Sequence, residues 1–102
     1  MIIPARHIGK YQQLTEGELC EIARHSQIGV ELLERWGAKG VNLGWNLGWV
    51  GGAGIPDHIH LHLVPRFDRD TNMMTTIFGT RVYSADFEQV YRELRELLTH
   101  LL

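Results

Sequence analysis

Three histidines occupy alternate positions in the run Asp57-His58-Ile59-His60-Leu61-His62-Leu63-Val64-Pro65-Arg66. Successive side chains of a β-strand point to opposite faces, so residues two apart share a side. On a strand, His58, His60 and His62 line one face. Ile59, Leu61 and Leu63 line the other, where they can enter a core. On a helix the same three histidines would fan out over most of the circumference. Near neutral pH an imidazole can act as a nucleophile, a proton carrier or a metal ligand.

The segment before the histidines bears on that choice. Seven of the 11 glycines fall between Gly37 and Gly54. A glycine-rich loop feeding a strand can hold a phosphate, because its backbone N–H groups point into a concavity and the backbone can approach closely. A neutral imidazole on the strand could then attack phosphorus, and its neighbours could hold phosphoryl oxygens and protonate the leaving group. A covalent phosphoramidate would divide one displacement into two easier ones. Stabilising charge on the phosphoryl oxygens would be the largest single effect. A metal site is the rival reading, since His-x-His pairs on strands bind zinc. A catalytic zinc site usually adds a carboxylate or a more distant histidine, and Asp57 would point to the face opposite His58. The bland reading, three polar surface residues, is also open on spacing alone.

Elements that position this run can be read on either side of it. Met1 to Ile3 reads as the end of a strand cut short by Pro4. Thr15 with Glu18 forms a capping box that opens a helix. Leu19, Ile22, Ala23, Ile28, Leu32, Leu33 and Trp36 recur at helical spacing. Gly37 and Gly40 stop that helix, with Lys39 suited to its C-terminal end. Gly17 and Gly29 weaken it. The alternation in Val41-Asn42-Leu43-Gly44-Trp45-Asn46 predicts a strand, and its glycine-rich link to the histidine strand predicts an antiparallel pair. That second strand should end at Pro65. Residues 75–83 read as a short strand or an arm. Ser84 or Asp86 can cap a final helix with the stripe Phe87, Val90, Tyr91, Leu94, Leu97, Leu98 and Leu101. The fold class is α+β, an antiparallel sheet with helices packed on it.

The chain has 102 residues, suited to one small domain, and 44% of them are hydrophobic. A chain this short buries a modest share of its surface, so oligomerisation is a common remedy. The net charge of -2 offers no basic footprint for nucleic acid. Cys20 stands alone, which excludes an internal disulfide and fits a reducing compartment. No apolar run is long enough to span a membrane and no signal peptide is visible, so the expected location is the cytoplasm.

His58-Ile59-His60-Leu61-His62-Leu63-Val64 resembles the motif of the histidine triad (HIT) family, His-φ-His-φ-His-φ-φ with φ hydrophobic. Ile2-Ile3-Pro4-Ala5-Arg6-His7-Ile8 is similar to the family's strand ending in Pro-x-x-His. Asn46-Leu47-Gly48, Gly52 to His58, Val64-Pro65-Arg66-Phe67 and Asp70 to Met74 resemble the branch of diadenosine tetraphosphate phosphorylases (ATP adenylyltransferases). The resemblance covers nearly the whole chain. It implies a homodimeric nucleotide hydrolase or transferase that cleaves at the nucleoside α-phosphate of adenine nucleotides or dinucleoside polyphosphates. His60 would be the nucleophile forming a nucleotidyl-histidine, His62 would contact the α-phosphate, and His58 would orient the site. His7, Asn46, Gly52 and Gly54 would line the phosphate site with His62. The acceptor would be water in a hydrolase and inorganic phosphate in a phosphorylase. No metal or other cofactor is required, and magnesium would enter only with the nucleotide. A nucleotide-binding module without turnover is the alternative.

Two departures from the family pattern stand out. Many members place Gln and then Ser or Thr four and three residues before the first histidine, where this chain has Gly54 and Ile55. Members also carry a helix and a hairpin before the Pro-x-x-His strand, which supply much of the base and ribose pocket. Met1 falls inside the expected domain, so the resemblance implies an N-terminally truncated HIT domain over residues 1–102. The homodimer is expected to form through the helix and the strand around Val41 to Asn46.

The remaining candidates divide between site and scaffold. Trp36 belongs to the helix stripe. Trp45 and Trp49 flank Asn46 and could stand at a ligand mouth or pack. Arg66 could reach a polyphosphate or be structural. Asp70 and Asn72 could belong to an arm or cap a loop, and Met73 and Met74 could fill apolar space or a dimer contact. His25, His100 and Cys20 read as helix-surface residues.

Overall fold

A computed structural model describes residues 1–71 and 86–102. In chain order the elements are a 3-10 turn at Tyr11–Gln13, helix α1 at Glu16–Trp36, strand β1 at Gly40–Trp45, strand β2 at Leu61–Arg66 and helix α2 at Phe87–Leu101. The arm at residues 75–83, the Ser84 cap, Asn72, Met73 and Met74 lie outside the described residues.

Helix α1 begins where its capping box requires. The Glu18 N–H donates to Thr15 Oγ1 at 3.1 Å, and the Thr15 N–H donates to Glu18 Oε2 at 2.9 Å. Two donors that a helix start leaves unpaired are thereby satisfied. Gly37 closes the helix in the left-handed conformation, φ 116°, and its N–H and that of Ala38 return to the Glu34 and Leu33 carbonyls. Asp86 caps α2 by accepting from the N–H groups of Glu88 and Gln89.

β1 and β2 pair antiparallel, from Gly40 with Arg66 to Trp45 with Leu61. Ile2 extends the pairing through an isolated bridge to Leu61, with both N–H···O distances 2.9 Å. The strand expected at Met1 to Ile3 is thus reduced to one bridge. β2 does not stop at Pro65 but runs to Arg66. Proline interrupts a ladder only where its missing N–H is needed, and Pro65 sits opposite Val41 at the strand's end.

The sheet is packed on one face. Leu61 enters a core with Ile8, Leu14, Ile22 and Ile59, against which Ile2, Trp45 and Leu63 pack. Gly29 is where α1 comes closest to the sheet: a Cβ there would lie 2.5 Å from Leu63 Cδ2. The glycine that weakens the helix in isolation is what lets it approach β2. α2 packs on α1, where the Trp36 indole N–H donates to Glu93 Oε2 at 2.9 Å. Trp36 also meets Phe67 edge to face, 5.6 Å between ring centres. An apolar cavity of about 530 Å³ lies among α1, α2 and β2, bordered by Ile28, Leu32, Leu63, Val90, Leu94 and Leu98.

Candidate functional site

The histidine run enters β2 from an irregular approach. Only His62 lies within the regular strand, and His58 and His60 precede it. The alternation expected of a strand nevertheless holds from His58 to His62, while Leu63 is only partly buried. Ile59 and Leu61 are buried at 3% and 6% exposure, whereas His58, His60 and His62 are half-buried. Backbone pairing explains this, because the Ile59 N–H donates to the Ile8 carbonyl at 2.8 Å and the Leu61 N–H to the Ile2 carbonyl. The N-terminal segment thus acts as a strand partner for the approach.

The imidazoles meet in two pairs. His7 and His58 stack tilted with ring centres 4.9 Å apart, and His60 and His62 meet edge to face at 4.6 Å. His58 Nε2 donates to the Pro4 carbonyl at 3.0 Å, and His60 Nδ1 donates to the His58 carbonyl at 3.2 Å. A carbonyl oxygen only accepts, so these contacts fix the protonated nitrogen of each ring. In a neutral His60 the lone pair therefore sits on Nε2. His62 Nε2 is buried and has no hydrogen-bond partner among the described residues. A buried polar atom without a protein partner is accounted for by a bound water or ion, by strain, or by a role in a site.

The expected phosphate-site residues are partly assembled. The paired residues of β1 and β2 run in strict register to Trp45 and Leu61. Asn46 directly follows Trp45 at the end of β1, and His60 directly precedes Leu61 at the start of β2. Gly52, at φ 91°, sits against the Asn46 amide: a Cβ on it would lie 3.7 to 4.0 Å from the side-chain atoms. Its N–H is committed to the Trp49 carbonyl and that of Ala53 to Gly48. Gly54 is exposed, with open space where a Cβ would be. His7 is exposed beside His58. The Pro4 carbonyl is a site atom that sequence reasoning missed. Its role is carried by the backbone, so the side-chain pattern holds no signal beyond the Pro-x-x-His spacing.

Arg66 and Asp70 are tied to each other. The Arg66 guanidinium donates to both Asp70 oxygens and, at 2.9 Å, to Asn42 Oδ1. The hydrogen bonds from Arg66, with one from the Phe67 N–H, hold the Asp70 carboxyl well below the usual carboxylate range. Asp70 thus caps the turn after β2. Trp45 meets Tyr11 edge to face at 5.4 Å, whereas Trp49 is 73% exposed.

No family model matches the chain. The chain is 32% identical over 99 residues to the AP-4-A phosphorylase of two strains of Mycobacterium tuberculosis, CDC 1551 / Oshkosh and ATCC 25618 / H37Rv, covering 96% of this chain and 49% of the relative. It is 28% identical over 95 residues to an uncharacterized HIT-like protein of Methanocaldococcus jannaschii, covering 93% of this chain and 70% of the relative. A crystal structure of a zinc-bound histidine triad family protein from Mycobacterium smegmatis superposes with a TM-score of 0.75 at 26% identity, over 97% of this chain and 67% of that one. In fold and sequence the chain is similar to HIT-like proteins, with a broad likeness to the AP-4-A phosphorylases. It spans about half the length of the phosphorylases it matches.

Among the described residues no group of three or more His, Cys, Asp or Glu side chains is disposed to hold a metal ion.

Proposed function

We propose that the chain is a nucleotidyl hydrolase or transferase of the histidine triad type, acting on adenine nucleotides or dinucleoside polyphosphates. The observation that carries the reading is the hydrogen bond from His60 Nδ1 to the His58 carbonyl, which leaves the Nε2 lone pair free. His60 Nε2 attacks the α-phosphorus, an N–P bond forms, and the P–O bond to the next phosphate breaks. The leaving polyphosphate takes the electron pair of that bond and a proton from a neighbouring imidazole. Water or inorganic phosphate then attacks the same phosphorus, the N–P bond breaks to release His60, and the attacking group's proton returns to the imidazole that protonated the leaving group. His62 Nε2 donates to an α-phosphoryl oxygen, which supplies its missing partner. His58, held by the Pro4 carbonyl, presents the carbonyl that orients His60. Asn46, Gly52 and Gly54 border the phosphate, with His7 behind His58. Fixing donors where charge develops is the main source of rate.

The same reading assigns residues 1–102 to one HIT domain that works as a homodimer. β1 is an edge strand among the described residues, and Leu43 on it is 47% exposed. Soluble nucleotides would be met in the cytoplasm. No helix among the described residues is long and apolar enough to cross a membrane.

The test is incubation with diadenosine tetraphosphate, with and without inorganic phosphate, followed by chromatography of the products. ADP plus ATP formed only with phosphate identifies a phosphorylase, and AMP plus ATP without it a hydrolase. No turnover under either condition would contradict the enzymatic reading and leave a binding module.

A further inference from the structure

Gly44 is the position on β1 directly opposite His62. Residues paired across antiparallel strands project to the same face with Cβ atoms about 4.5–5.5 Å apart. A side chain at 44 would therefore stand beside the His62 imidazole. Among the described residues nothing lies within 4 Å of the place its Cβ would occupy, and the residue is exposed. Gly44 has no positive φ that would demand glycine. Neither packing nor backbone conformation among the described residues explains a glycine here. Glycine inside a strand weakens it, and often marks a place where a ligand approaches the backbone. The neighbouring His62 Nε2 is the buried polar atom without a partner.

We propose that Gly44 is the floor of the phosphate-chain subsite, and that its missing side chain admits the phosphoryl groups that His62 holds. This deepens the proposed function and rests on the same histidine face. The bound chain lies flat on the β1 backbone at Gly44, between His62 and Asn46. Beyond it, Asn42 and Arg66 are hydrogen-bonded to each other, so the floor ends there. Gly44 thus selects for extended phosphate chains by leaving room for them.

Calorimetric titration with diadenosine tetraphosphate, AMP and inorganic tripolyphosphate tests this on the native chain, Gly44→Ala, Gly44→Val and Gly40→Val. Gly40 is a second strand glycine, opposite Arg66, and serves as the control. Affinity for diadenosine tetraphosphate and tripolyphosphate should fall a few-fold in Gly44→Ala and at least about tenfold in Gly44→Val, and stay native in Gly40→Val. AMP should be affected least. Melting temperatures of both Gly44 variants should not fall, because either side chain restricts the unfolded chain more than glycine does and the strand position is open. Unchanged affinity in a folded Gly44→Val overturns the proposal, as does failure of the native chain to bind either phosphate-chain probe. Equal loss in Gly40→Val also overturns it. His60→Ala separates this from the reaction itself: it should lose turnover and keep the Gly44-dependent binding.

Discussion

At the scale of single residues, the tautomer fixed on His60 by a backbone carbonyl does most to define the chemistry. Replacing His60 with Ala removes the proposed nucleophile, and kcat should fall by about 10^4-fold or more. Asn46→Ala should act differently. In the proposed site it removes one hydrogen bond to an anionic ligand, so KM should rise roughly tenfold with the fold intact. Steady-state kinetics beside a thermal melt checks both, and an unchanged KM would remove Asn46 from the site. The three histidines were legible in the sequence because their period of two has one structural meaning. Which ring nitrogen carries the proton was not legible, because it depends on the carbonyls of Pro4 and His58. The same holds for Arg66, whose partners Asn42 and Asp70 only the fold brings together.

At the scale of elements, α1 and the N-terminal segment hold the histidine approach in place. Arg6 joins them by donating from Nε and one terminal nitrogen to the two Glu18 oxygens, each at 2.8 Å. The hydrogen bonds from Arg6, then that from the Thr15 N–H, hold the Glu18 carboxyl down to about 2. A depressed carboxyl stabilises the fold above its unfolded value, and that stabilisation is lost as pH falls through the folded value. The melting temperature should therefore drop between about pH 4.5 and 2 as Glu18 protonates, and Arg6→Gln should flatten part of that drop. A pH series of thermal melts would show it, and identical slopes in the two proteins would deny the link. Thr15→Ala removes the cap and should cost about 1 kcal/mol. Ile59→Ala should cost about 3 kcal/mol through the cavity it leaves, and it should loosen the histidines on either side. Both boundaries of α1 were readable because capping residues and a C-terminal glycine mark them chemically. The short pairing at Ile2 was less so, since one bridge leaves no periodic pattern in the sequence.

At the scale of the whole molecule, the core is thin. No side chain of α2 is buried, and Phe87 and Tyr91 on its apolar stripe are 68% and 62% exposed. Trp49 and Leu43 add further exposed apolar surface around β1. A chain of this size with such a surface is expected to associate. Size-exclusion chromatography with light scattering should give the mass of a dimer, and a monomer at high concentration would contradict the proposed assembly through β1 and α1. An assembly of this kind leaves little trace in the sequence of one copy, because an edge strand and a buried strand share the same alternation.

In the proposed reaction His60 becomes covalently nucleotidylated. Phosphoramidates survive alkali, so the reaction with diadenosine tetraphosphate can be stopped with base and the intact protein weighed. One adenylyl group on the native chain, mapped to His60 and absent from His60→Ala, is the predicted result. Turnover with no adduct, persisting in His60→Ala, would contradict it.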